Sequence, residues 1–391
     1  MKLCLISSMF PLPGESPSFG PDNVVFNLMK GLKKIAPDMS IDIITVRKDI
    51  DKSFIYTGLL PNVRVHYHSG FKFLPRCLQD PIIIRNFFQK NNFDIIHSHS
   101  PIALSQILNS KTPKILTLHG IYWKEKKFVK NPFLRLSFYN YNTYMFKKIF
   151  PKIDAFVAIS PYVLDEITSM NICDQPPKMF QINNPIDDSF FTKTSYKEND
   201  NIIFYPAVIR ALKNQVVSID AINIIKNKIP DLKLTLAGSI SEPKYFKKIN
   251  SAVNRNNLSN IVKYVGKVSR DEMLNLYRKS SIVYLLSNHE VQPMVVLEAM
   301  ATGTPVIASN LKCISYLVED GVTGYLVNPN DYDKIAEYTL NLLSDKAHFL
   351  TMGKKAREYA LKNFHSDLIA KQTINMYNEV LQSKTCGKSS F

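Results

Sequence analysis

Short apolar segments with the length of buried strands alternate with segments of helical period along almost the whole chain. This alternation restricts the fold more than any other feature, because consecutive strand–helix–strand units build parallel sheets with helices on both faces. The strands predicted in the first half are residues 2–7, 41–46, 94–97, 114–118, 155–159 and 179–182. Those predicted in the second half are residues 202–205, 232–237, 261–265, 282–286 and 305–308. The sequence therefore predicts an α/β protein with two parallel sheets.

Helices are predicted between these strands. The clearest start signal is the capping-box spacing of Ser269 and Glu272, which begins a helix that ends near Lys279. The other predicted helices span residues 22–35, 81–89, 102–108, 162–170, 214–228 and 245–256, and helices fill the chain from residue 332 onward.

The length and the cysteines limit the class of protein. A chain of 391 residues is too long for one ordinary core and fits two domains, with the polar segment 185–201 as their linker. No apolar run approaches the ~20 residues of a membrane span, and the short apolar run at 3–7 predicts a first strand, not a signal peptide. Five scattered cysteines without CxxC spacing predict a reduced, cytoplasmic protein without a structural disulfide or zinc site.

The net charge of +16 is unevenly distributed. Residues 111–152 include ten basic residues, one acid and ten aromatic residues. Five apolar or aromatic side chains there keep helical spacing and are predicted to pack inward: Leu134, Phe138, Tyr141, Met145 and Ile149. The remaining lysines and aromatics form either a face resting on an anionic membrane surface or a merely solvated lysine face. Charge alone suggests a nucleic-acid partner, but no DNA or RNA motif is present, so none is predicted.

The block of residues 289–309, HEVQPMVVLEAMATGTPVIAS, is the most informative about function. It contains two carboxylates, Glu290 and Glu298, after a predicted strand. Pro293 suits a first helical position, and Gly303 is placed to end that helix before the next strand. Open α/β sheets bind ligands at the carboxyl ends of strands, and helix amino termini bind phosphates. The block therefore suits a nucleotide sugar.

Glu-x7-Glu followed by Ala-Met, a glycine and Pro-Val-Ile resembles the signature of the retaining glycosyltransferases of family four. Further matching motifs follow in order at 8–11, 96–100, 118–120, 158–161, 183–187, 210–213, 236–238, 265–266 and 320–324. The resemblance implies the GT-B fold, with two Rossmann-like parallel-sheet domains facing a central cleft and a C-terminal helix crossing back to the first domain. The implied parts are an acceptor-side domain at 1–190, a nucleotide-sugar domain at 191–365, and the returning helix with a tail at 366–391.

The resemblance assigns four residues to catalysis. Arg210 and Lys213 would stabilise the departing diphosphate, which is the largest electrostatic task of such a reaction. Glu290 would bind the hydroxyls of the donor sugar, and His119 would contact that sugar near the reacting carbon. Two other histidines, His97 and His99, are predicted to be structural or acceptor-side, because no carboxylate or cysteine stands at metal-ligand spacing from them.

The resemblance also implies a set of donor-binding residues. Glu298 would bind the ribose hydroxyls. Relatives commonly have Phe-Gly where this chain has Gln292-Pro293, and proline has no N–H, so phosphate contacts would fall to the two backbone groups that follow. Gly20, in the loop before the first helix, is placed to contact a phosphate or the acceptor, and an ordinary role as a loop glycine is the alternative. The predicted donor-binding set is Gly20, Glu298, Met294, Val295 and Gly266.

The implied reaction is retaining transfer of a hexose from a nucleoside-diphosphate sugar to a glycan or lipid-linked acceptor, in cell-surface polysaccharide or glycolipid biosynthesis. No protein nucleophile, cofactor or metal is implied, and the leaving phosphate would take the acceptor proton. The alternatives are a phosphorylase or a sugar-nucleotide epimerase of the same fold. A second departure from the family pattern is Lys312-Cys313, where relatives tend to have paired glycines.

Overall fold

The computed structural model describes residues 1–17, 20–125, 132–170, 177–192 and 201–386. The chain forms two compact units: unit 1 is Met1–Pro185 with Ser366–Phe391, and unit 2 is Ile186–His365. The first boundary falls before the expected 190/191. The reason is that Ile186 already belongs to unit 2, since its N–H donates to the Phe364 carbonyl at 2.8 Å and it bridges His365.

Unit 1 is built on an eight-stranded sheet with the order β3-β4-β2-β1-β5-β6-β7-β8. Its strands are β1 Lys2–Ile6, β2 Ser40–Arg47, β3 Phe54–Tyr56, β4 Val63–Ser69, β5 Ile95–Ser98, β6 Lys114–Leu118, β7 Ala155–Ala158 and β8 Lys178–Gln181. All neighbours are parallel except β3 and β4. Every residue of β5, β6 and β7 is buried, as expected for parallel strands covered on both faces.

The helices of unit 1 include one from the end of the chain. They are α1 Gly20–Ile35, α2 Arg76–Lys90, α3 Tyr122–Glu125, α4 Pro132–Tyr144, α5 Pro161–Thr168 and α14 Ser366–Cys386. Helix α14 packs on α1 so closely that a Cβ on Gly31 would lie 2.7 Å from the Ser366 carbonyl oxygen. Apolar side chains of α14, among them Ile369 and Tyr377, join the core around β1 and β2.

Unit 2 is built on a six-stranded parallel sheet with the order β11-β10-β9-β12-β13-β14. Its strands are β9 Ile202–Pro206, β10 Lys233–Ala237, β11 Val262–Tyr264, β12 Ile282–Leu285, β13 Val306–Ser309 and β14 Tyr325–Val327. Its helices are α6 Asp188–Phe191, α7 Gln215–Ile225, α8 Pro243–Arg255, α9 Arg270–Lys279, α10 Met294–Ala301, α11 Lys312–Ser315, α12 Tyr332–Ser344 and α13 Lys346–Phe364. The capping box predicted at Ser269 and Glu272 is present at the start of α9.

Each sheet reverses its strand order at one place. In unit 1 the chain runs outward from β1 through β2 and then returns to β5 on the other side; in unit 2 it does the same at β9 and β12. Adjacent loops diverge at such a switch point, which leaves a crevice at the carboxyl ends of the two strands. The prediction of two doubly wound parallel-sheet units is confirmed.

Some predicted elements differ from the structure. The helix predicted at 102–108 is only a 3-10 turn, Ile102–Leu104, and the N–H groups of Ser105 and Ile107 also bond three residues back. Residues 53–69 include β3 and β4, although the sequence there looks irregular. Strand β4 tolerates Arg64 and His66 because both side chains bond the buried Asp42 carboxylate of β2, at 2.9 and 2.6 Å. The polar residues of β4 are therefore accommodated only through Asp42, which belongs to another strand.

The basic and aromatic segment 111–152 is mixed. Met145 and Ile149 are buried as predicted and Tyr141 is half-buried, whereas Leu134 and Phe138 have side chains outside the described part. Leu136, Tyr139 and Tyr144 are exposed, but Lys114 is buried beside Asp154, so this lysine does not belong to an exposed face. Among the described residues, no helix combines the length and apolar character needed to cross a membrane.

Candidate active site

Two loops of unit 2 meet at the switch point between β9 and β12. The loop after β9 includes Arg210 and Lys213, and the loop after β12 includes Glu290. The backbone N–H of Asn288 donates to the Leu212 carbonyl at 2.9 Å and ties the two loops together. Lys213 and Glu290, which are 77 positions apart in the sequence, therefore lie side by side, where an open α/β sheet binds its ligand.

Tyr205 at the carboxyl end of β9 fixes both loops. Its buried hydroxyl donates to the Lys213 carbonyl and accepts from the Leu286 N–H at 2.9 Å. Burial raises the pKa of Tyr205 well above its usual value, so the hydroxyl keeps its proton and can donate. No sequence motif marks this residue; its signal is a tyrosine hydroxyl inside an otherwise apolar strand.

The Lys213 ammonium and the Glu290 carboxylate form an ion pair in this crevice. The side chains are 19% and 10% exposed, so solvent screens the pair less than it would on an open surface. Nearby Arg210 precedes the 3-10 turn Ala211–Lys213, and its buried Nε has no hydrogen-bond partner among the described residues. A buried guanidinium N–H without a protein acceptor is able to donate to an anionic ligand.

Helix α10 begins directly behind Glu290. Pro293 is its N-cap, not its first residue as predicted, because its ψ of 115° is extended. The first bond back into the helix comes from Val296 to the Pro293 carbonyl at 3.1 Å. The N–H groups of Met294 and Val295 precede that bond and have no acceptor within the helix. Such groups at a helix amino terminus favour phosphate.

Glu298 lies in the second turn of α10 and is 7% exposed. Its Oε2 accepts a hydrogen bond from the Tyr277 hydroxyl of α9 at 2.9 Å. Burial, and then the charge of Glu298, raise the pKa of Tyr277 far above its usual value, so the tyrosine stays a donor. The structure thus orients the Glu298 carboxylate from behind, through a residue that the motif did not include.

Cys313 stands at one of the positions where relatives tend to have glycine. It is buried in α11, and its thiol donates to the Glu290 carbonyl at 3.2 Å. Burial, and then the charge of Glu290, raise the pKa of this thiol to about 12, which keeps it protonated. Cys313, one of the residues at which this chain departs from the family pattern, therefore contacts the backbone of the loop that holds Glu290.

The two predicted glycines are explained differently by the structure. Gly266 follows β11 with a φ of +78°, a conformation that favours glycine whatever binds nearby. Gly20 is the first residue of α1, and a Cβ built on it would meet nothing within 4 Å. No crowding requires glycine there, and only its place at a helix amino terminus supports a role. Donor contact by either residue stays a prediction.

Three histidines lie at the carboxyl ends of β5 and β6, next to the switch point of unit 1. His97 and His99 alternate along β5 and its end, and His119 follows β6, so period-two geometry places their side chains on one face of the sheet. The ring centroids of His99 and His119 are 5.0 Å apart and stacked. His97 bonds the Thr117 hydroxyl and the Tyr377 hydroxyl of α14, both at 2.7 Å.

The histidines are held in the neutral form. Burial lowers the pKa of His97 and of His119 to about 3, and it also lowers the pKa of His99 well below its usual value. His97 and His99 are almost fully buried, whereas His119 keeps part of its surface exposed. Of the three, His119 is the one that can reach a ligand.

A buried aspartate that no sequence motif marks holds the loop after β1. Asp22, in the first turn of α1, accepts from the Ser7 hydroxyl at 2.5 Å and from the Met9 N–H at 2.9 Å. It is 1% exposed, and burial raises its pKa. Its signal in the sequence was an acid in the first turn of a helix that follows a strand.

The architecture defines the class of protein. The chain is similar to sucrose-phosphate synthase from Thermosynechococcus elongatus, with a TM-score of 0.79, 21% identity, and coverage of 98% of this chain and 99% of that one. It is also similar to Anabaena HepE, solved with UDP and glucose, with a TM-score of 0.74, 17% identity, and coverage of 97% and 100%. The fold is that of the GT-B glycosyltransferases.

Sequence comparisons define the family. Residues 187–359 match the family described as glycosyl transferases group 1, and residues 20–190 match glycosyltransferase family 4. N-acetyl-alpha-D-glucosaminyl L-malate synthase of Bacillus anthracis is 27% identical over 347 residues, 83% of this chain and 85% of that protein. An uncharacterized glycosyltransferase of Methanocaldococcus jannaschii is 27% identical over 93% of this chain and 94% of its own. The chain belongs to the group 1, family 4 glycosyltransferases and is a transferase of the hexosyltransferase type.

Proposed function

We propose that the protein transfers a hexose from a nucleoside-diphosphate sugar to a glycan or lipid-linked acceptor, with retention of the anomeric configuration. The observation that carries the donor part is the Lys213–Glu290 pair at the switch point of unit 2, beside the amino terminus of α10. The cations and the free N–H groups suit a diphosphate, and the carboxylates suit sugar and ribose hydroxyls.

Donor binding is the first part to test. A thermal-shift panel of UDP-, GDP- and ADP-glucose will show which nucleotide stabilises the fold, because a ligand that binds only the native state raises its stability. UDP-glucose comes first, since HepE was solved with UDP and glucose. We expect one of the three nucleotide sugars to raise the melting temperature of the wild-type protein. A Lys213→Met variant should not show that increase. No shift with any nucleotide sugar would contradict the proposal.

Retention is supported by the lack of a suitable base at the histidine cluster. An inverting transferase needs a side chain that accepts the acceptor proton, with a pKa near the working pH. With a pKa of about 3, His119 is a poor base at neutral pH. The departing phosphate itself then takes the proton on the same face of the sugar. Proton NMR of the new linkage should show an α product from an α donor, and a β product would exclude this mechanism.

We propose that turnover needs no metal, because Arg210, Lys213 and the α10 dipole supply the positive charge that a diphosphate requires. Two Asp-x-Asp sequences, at 49–51 and 331–333, are engaged structurally: Asp49 bonds Arg47 at 2.8 Å, and Asp331 caps α12. Activity should survive EDTA. Its loss with EDTA and return with manganese or magnesium would contradict the roles given to the two cations.

We also propose that the protein works at an anionic membrane surface, which suits a lipid-linked acceptor and the biosynthesis of cell-surface polysaccharide or glycolipid. The support comes partly from a place that the charge pattern did not indicate. Large apolar side chains are exposed along residues 71–82, here called the 71–82 surface, and Phe73 is fully exposed. The exposed members are Phe71, Phe73, Leu74, Leu78 and Ile82.

Several basic residues lie along the 71–82 surface, and one of them, Lys72, also pairs with the exposed Asp51 carboxylate at 3.6 Å. Lys72 stands between the two phenylalanines, Lys48 reaches its carbonyl at 3.3 Å, and Arg85 continues the face of α2 that exposes Leu78 and Ile82. Apolar side chains among lysines and arginines are typical of proteins that insert shallowly into anionic bilayers. Two copies of this surface facing each other would bring like charges together, which makes self-association the less favourable explanation.

Vesicle sedimentation tests this part. At low salt the protein should bind vesicles of anionic lipid more than neutral ones, and salt should release it. Replacing Phe71 and Phe73 by serine should weaken binding about tenfold or more, since burying one such side chain contributes ~1.5–3 kcal/mol. The matched control is Leu361→Ser, an exposed apolar residue of unit 2. Equal binding to both kinds of vesicle, or equal effects of the serine variants and the control, would exclude this surface.

A further inference from the structure

The contact between His99 and His119 determines where their protons lie. His99 Nδ1 and His119 Nε2 are 2.7 Å apart, which is hydrogen-bond distance. Both imidazoles are neutral at physiological pH because burial lowers both pKa values. A neutral imidazole has one N–H and one bare nitrogen, so one ring must donate and the other must accept.

The environment of His99 selects the direction of this bond. Its second nitrogen, Nε2, is closed off from solvent and has no hydrogen-bond partner among the described residues. A proton on that nitrogen would be a buried N–H without an acceptor, which folded proteins rarely tolerate; a bare nitrogen there is the smaller cost. The His99 proton therefore belongs on Nδ1, where it has His119 as its acceptor.

We propose that His99 is a positioning residue: it donates its Nδ1 proton to His119 Nε2 and thereby fixes His119 in the tautomer that presents an Nδ1–H to a ligand. That the ligand of His119 is a sugar rests on the proposed function. With this tautomer, His119 offers a hydrogen-bond donor and no proton-accepting nitrogen, so it binds a sugar oxygen and does not act as a base.

The rest of the cluster holds His99 in place. The ring of His97 lies 4.7 Å from that of His99, at an interplanar angle of 31°. His97 is itself fixed at both nitrogens by the Thr117 and Tyr377 hydroxyls. Because Tyr377 comes from α14, the end of the chain secures a histidine at the carboxyl end of β5. His99 has little freedom to rotate and exchange its two nitrogens.

The tautomer can be measured without any ligand. Selective 15N labelling of the eight histidines, with His119 assigned through a His119→Gln variant, reports which ring nitrogen holds the proton. We expect His119 protonated at Nδ1 and His99 at Nδ1 in the wild-type protein. A proton on Nε2 of His119 would overturn the proposal.

Two variants that are nearly isosteric with each other distinguish the two polarities of the contact: one keeps a donor at this position and the other reverses it. The side-chain amide of His99→Asn can place an N–H where imidazole Nδ1 stands, whereas His99→Asp places only an acceptor oxygen there. We expect the His119 tautomer to survive in the first and to invert in the second. With the donor identified in the thermal-shift panel, kcat/KM of the Asp variant should be about tenfold below that of the Asn variant, the scale of one hydrogen bond.

The outcomes separate this proposal from the function itself. If no nucleotide sugar binds but the tautomer is as expected, the proposed function fails and the role of His99 in fixing His119 remains. If the donor binds and both variants keep the wild-type tautomer and the wild-type kcat/KM, His99 does not position His119. Melting temperatures of the two variants show whether a loss reflects unfolding, and the wild-type measurement stands even if both unfold.

Discussion

The two units present the same architecture with opposite chemistry. Each has a parallel sheet that reverses its strand order once, at β1 and β5 in unit 1 and at β9 and β12 in unit 2. In unit 1 the switch point holds histidines that burial keeps neutral. In unit 2 it holds an arginine and a lysine–glutamate ion pair. The backbone supplies a crevice in both cases, and the side chains decide what the crevice can bind.

This difference suggests a division of labour. Fixed charges in a partly buried crevice favour a diphosphate, which is doubly charged and needs cations. Neutral imidazoles offer hydrogen bonds to hydroxyl groups without changing the charge of the site. The comparison predicts that removing a charged side chain from the unit 2 crevice lowers turnover. For unit 1 it predicts that the stability depends on pH through the buried histidines.

The largest effect should come from Lys213→Met. Removing one group that stabilises charge in the transition state costs about 10²–10³ in kcat. Turnover with the donor that binds in the thermal-shift panel is the measurement. The matched control is Lys228→Met, an exposed lysine at the end of the α7 segment, which should keep wild-type turnover. Similar losses in both variants would mean that overall charge, not the crevice, matters.

Acid should destabilise unit 1 through its histidines. His97 and His119 are neutral in the folded protein because their pKa values are lowered to about 3 from the ordinary 6.5. The unfolded chain binds protons below 6.5, so the stability that these neutral histidines confer is lost as the pH falls from 6.5 toward 3. At about pH 5.5 each of these two histidines lowers the free energy of unfolding by ~1.4 kcal/mol, or by ~3 kcal/mol together.

Urea unfolding at about pH 7 and 5.5 checks this expectation, with His119→Gln as the comparison variant. The variant should lose less stability between the two conditions than the wild-type protein, because one of the buried histidines with a lowered pKa has been removed. Identical losses would mean that His119 has an ordinary pKa and that the contrast between the two crevices is wrong.

Glu298→Gln should weaken donor binding by ~1.5–3 kcal/mol, the contribution of a hydrogen bond to a charged group. Glutamine keeps an oxygen for the Tyr277 hydroxyl, so the fold should be retained. Tyr277→Phe is the companion variant, since it removes only the hydroxyl that orients the carboxylate. Isothermal titration with the donor measures both. Unchanged affinity in Glu298→Gln would limit Glu298 to a structural role beside Tyr277.

The smallest effect should come from Cys313→Ala. The thiol is a weak donor to the Glu290 carbonyl, and its loss is worth ~0.5 kcal/mol, or about a twofold rise in the donor KM. Cys313→Ser keeps a donor and should stay near wild type. A change in kcat without a change in KM would place the role of Cys313 elsewhere than in supporting the Glu290 loop.

Prediction from the sequence succeeded where local pattern and motif spacing were sufficient. The alternation of strands and helices gave both sheets, and the Ser269–Glu272 spacing gave a helix start, because these signals depend on neighbouring residues. It failed for β4, whose polar residues are stabilised by Asp42 from another strand. It also failed for the short turn at Ile102, where helical period did not lead to a helix.

The candidate site shows the same limit. Motif spacing predicted Lys213 and Glu290 as functional residues, but their contact exists only because β9 and β12 are neighbours in the sheet. Tyr205 and Tyr277 were missed because a buried tyrosine has no signature until its hydrogen-bond partners are known. The apolar 71–82 surface was also missed, since exposure is a property of the folded chain.

By itself, the sequence determined the class of fold, the family resemblance and which residues are candidates for binding a nucleotide sugar, because period and motif are local properties of the chain. Only the tertiary structure decided which of these residues meet and in which protonation state. His119 is the clearest case: its place after β6 is local, but its lowered pKa comes from burial, and its inferred tautomer depends on a contact with His99 from a neighbouring strand. Desolvation and hydrogen-bond direction depend on atoms brought together by folding.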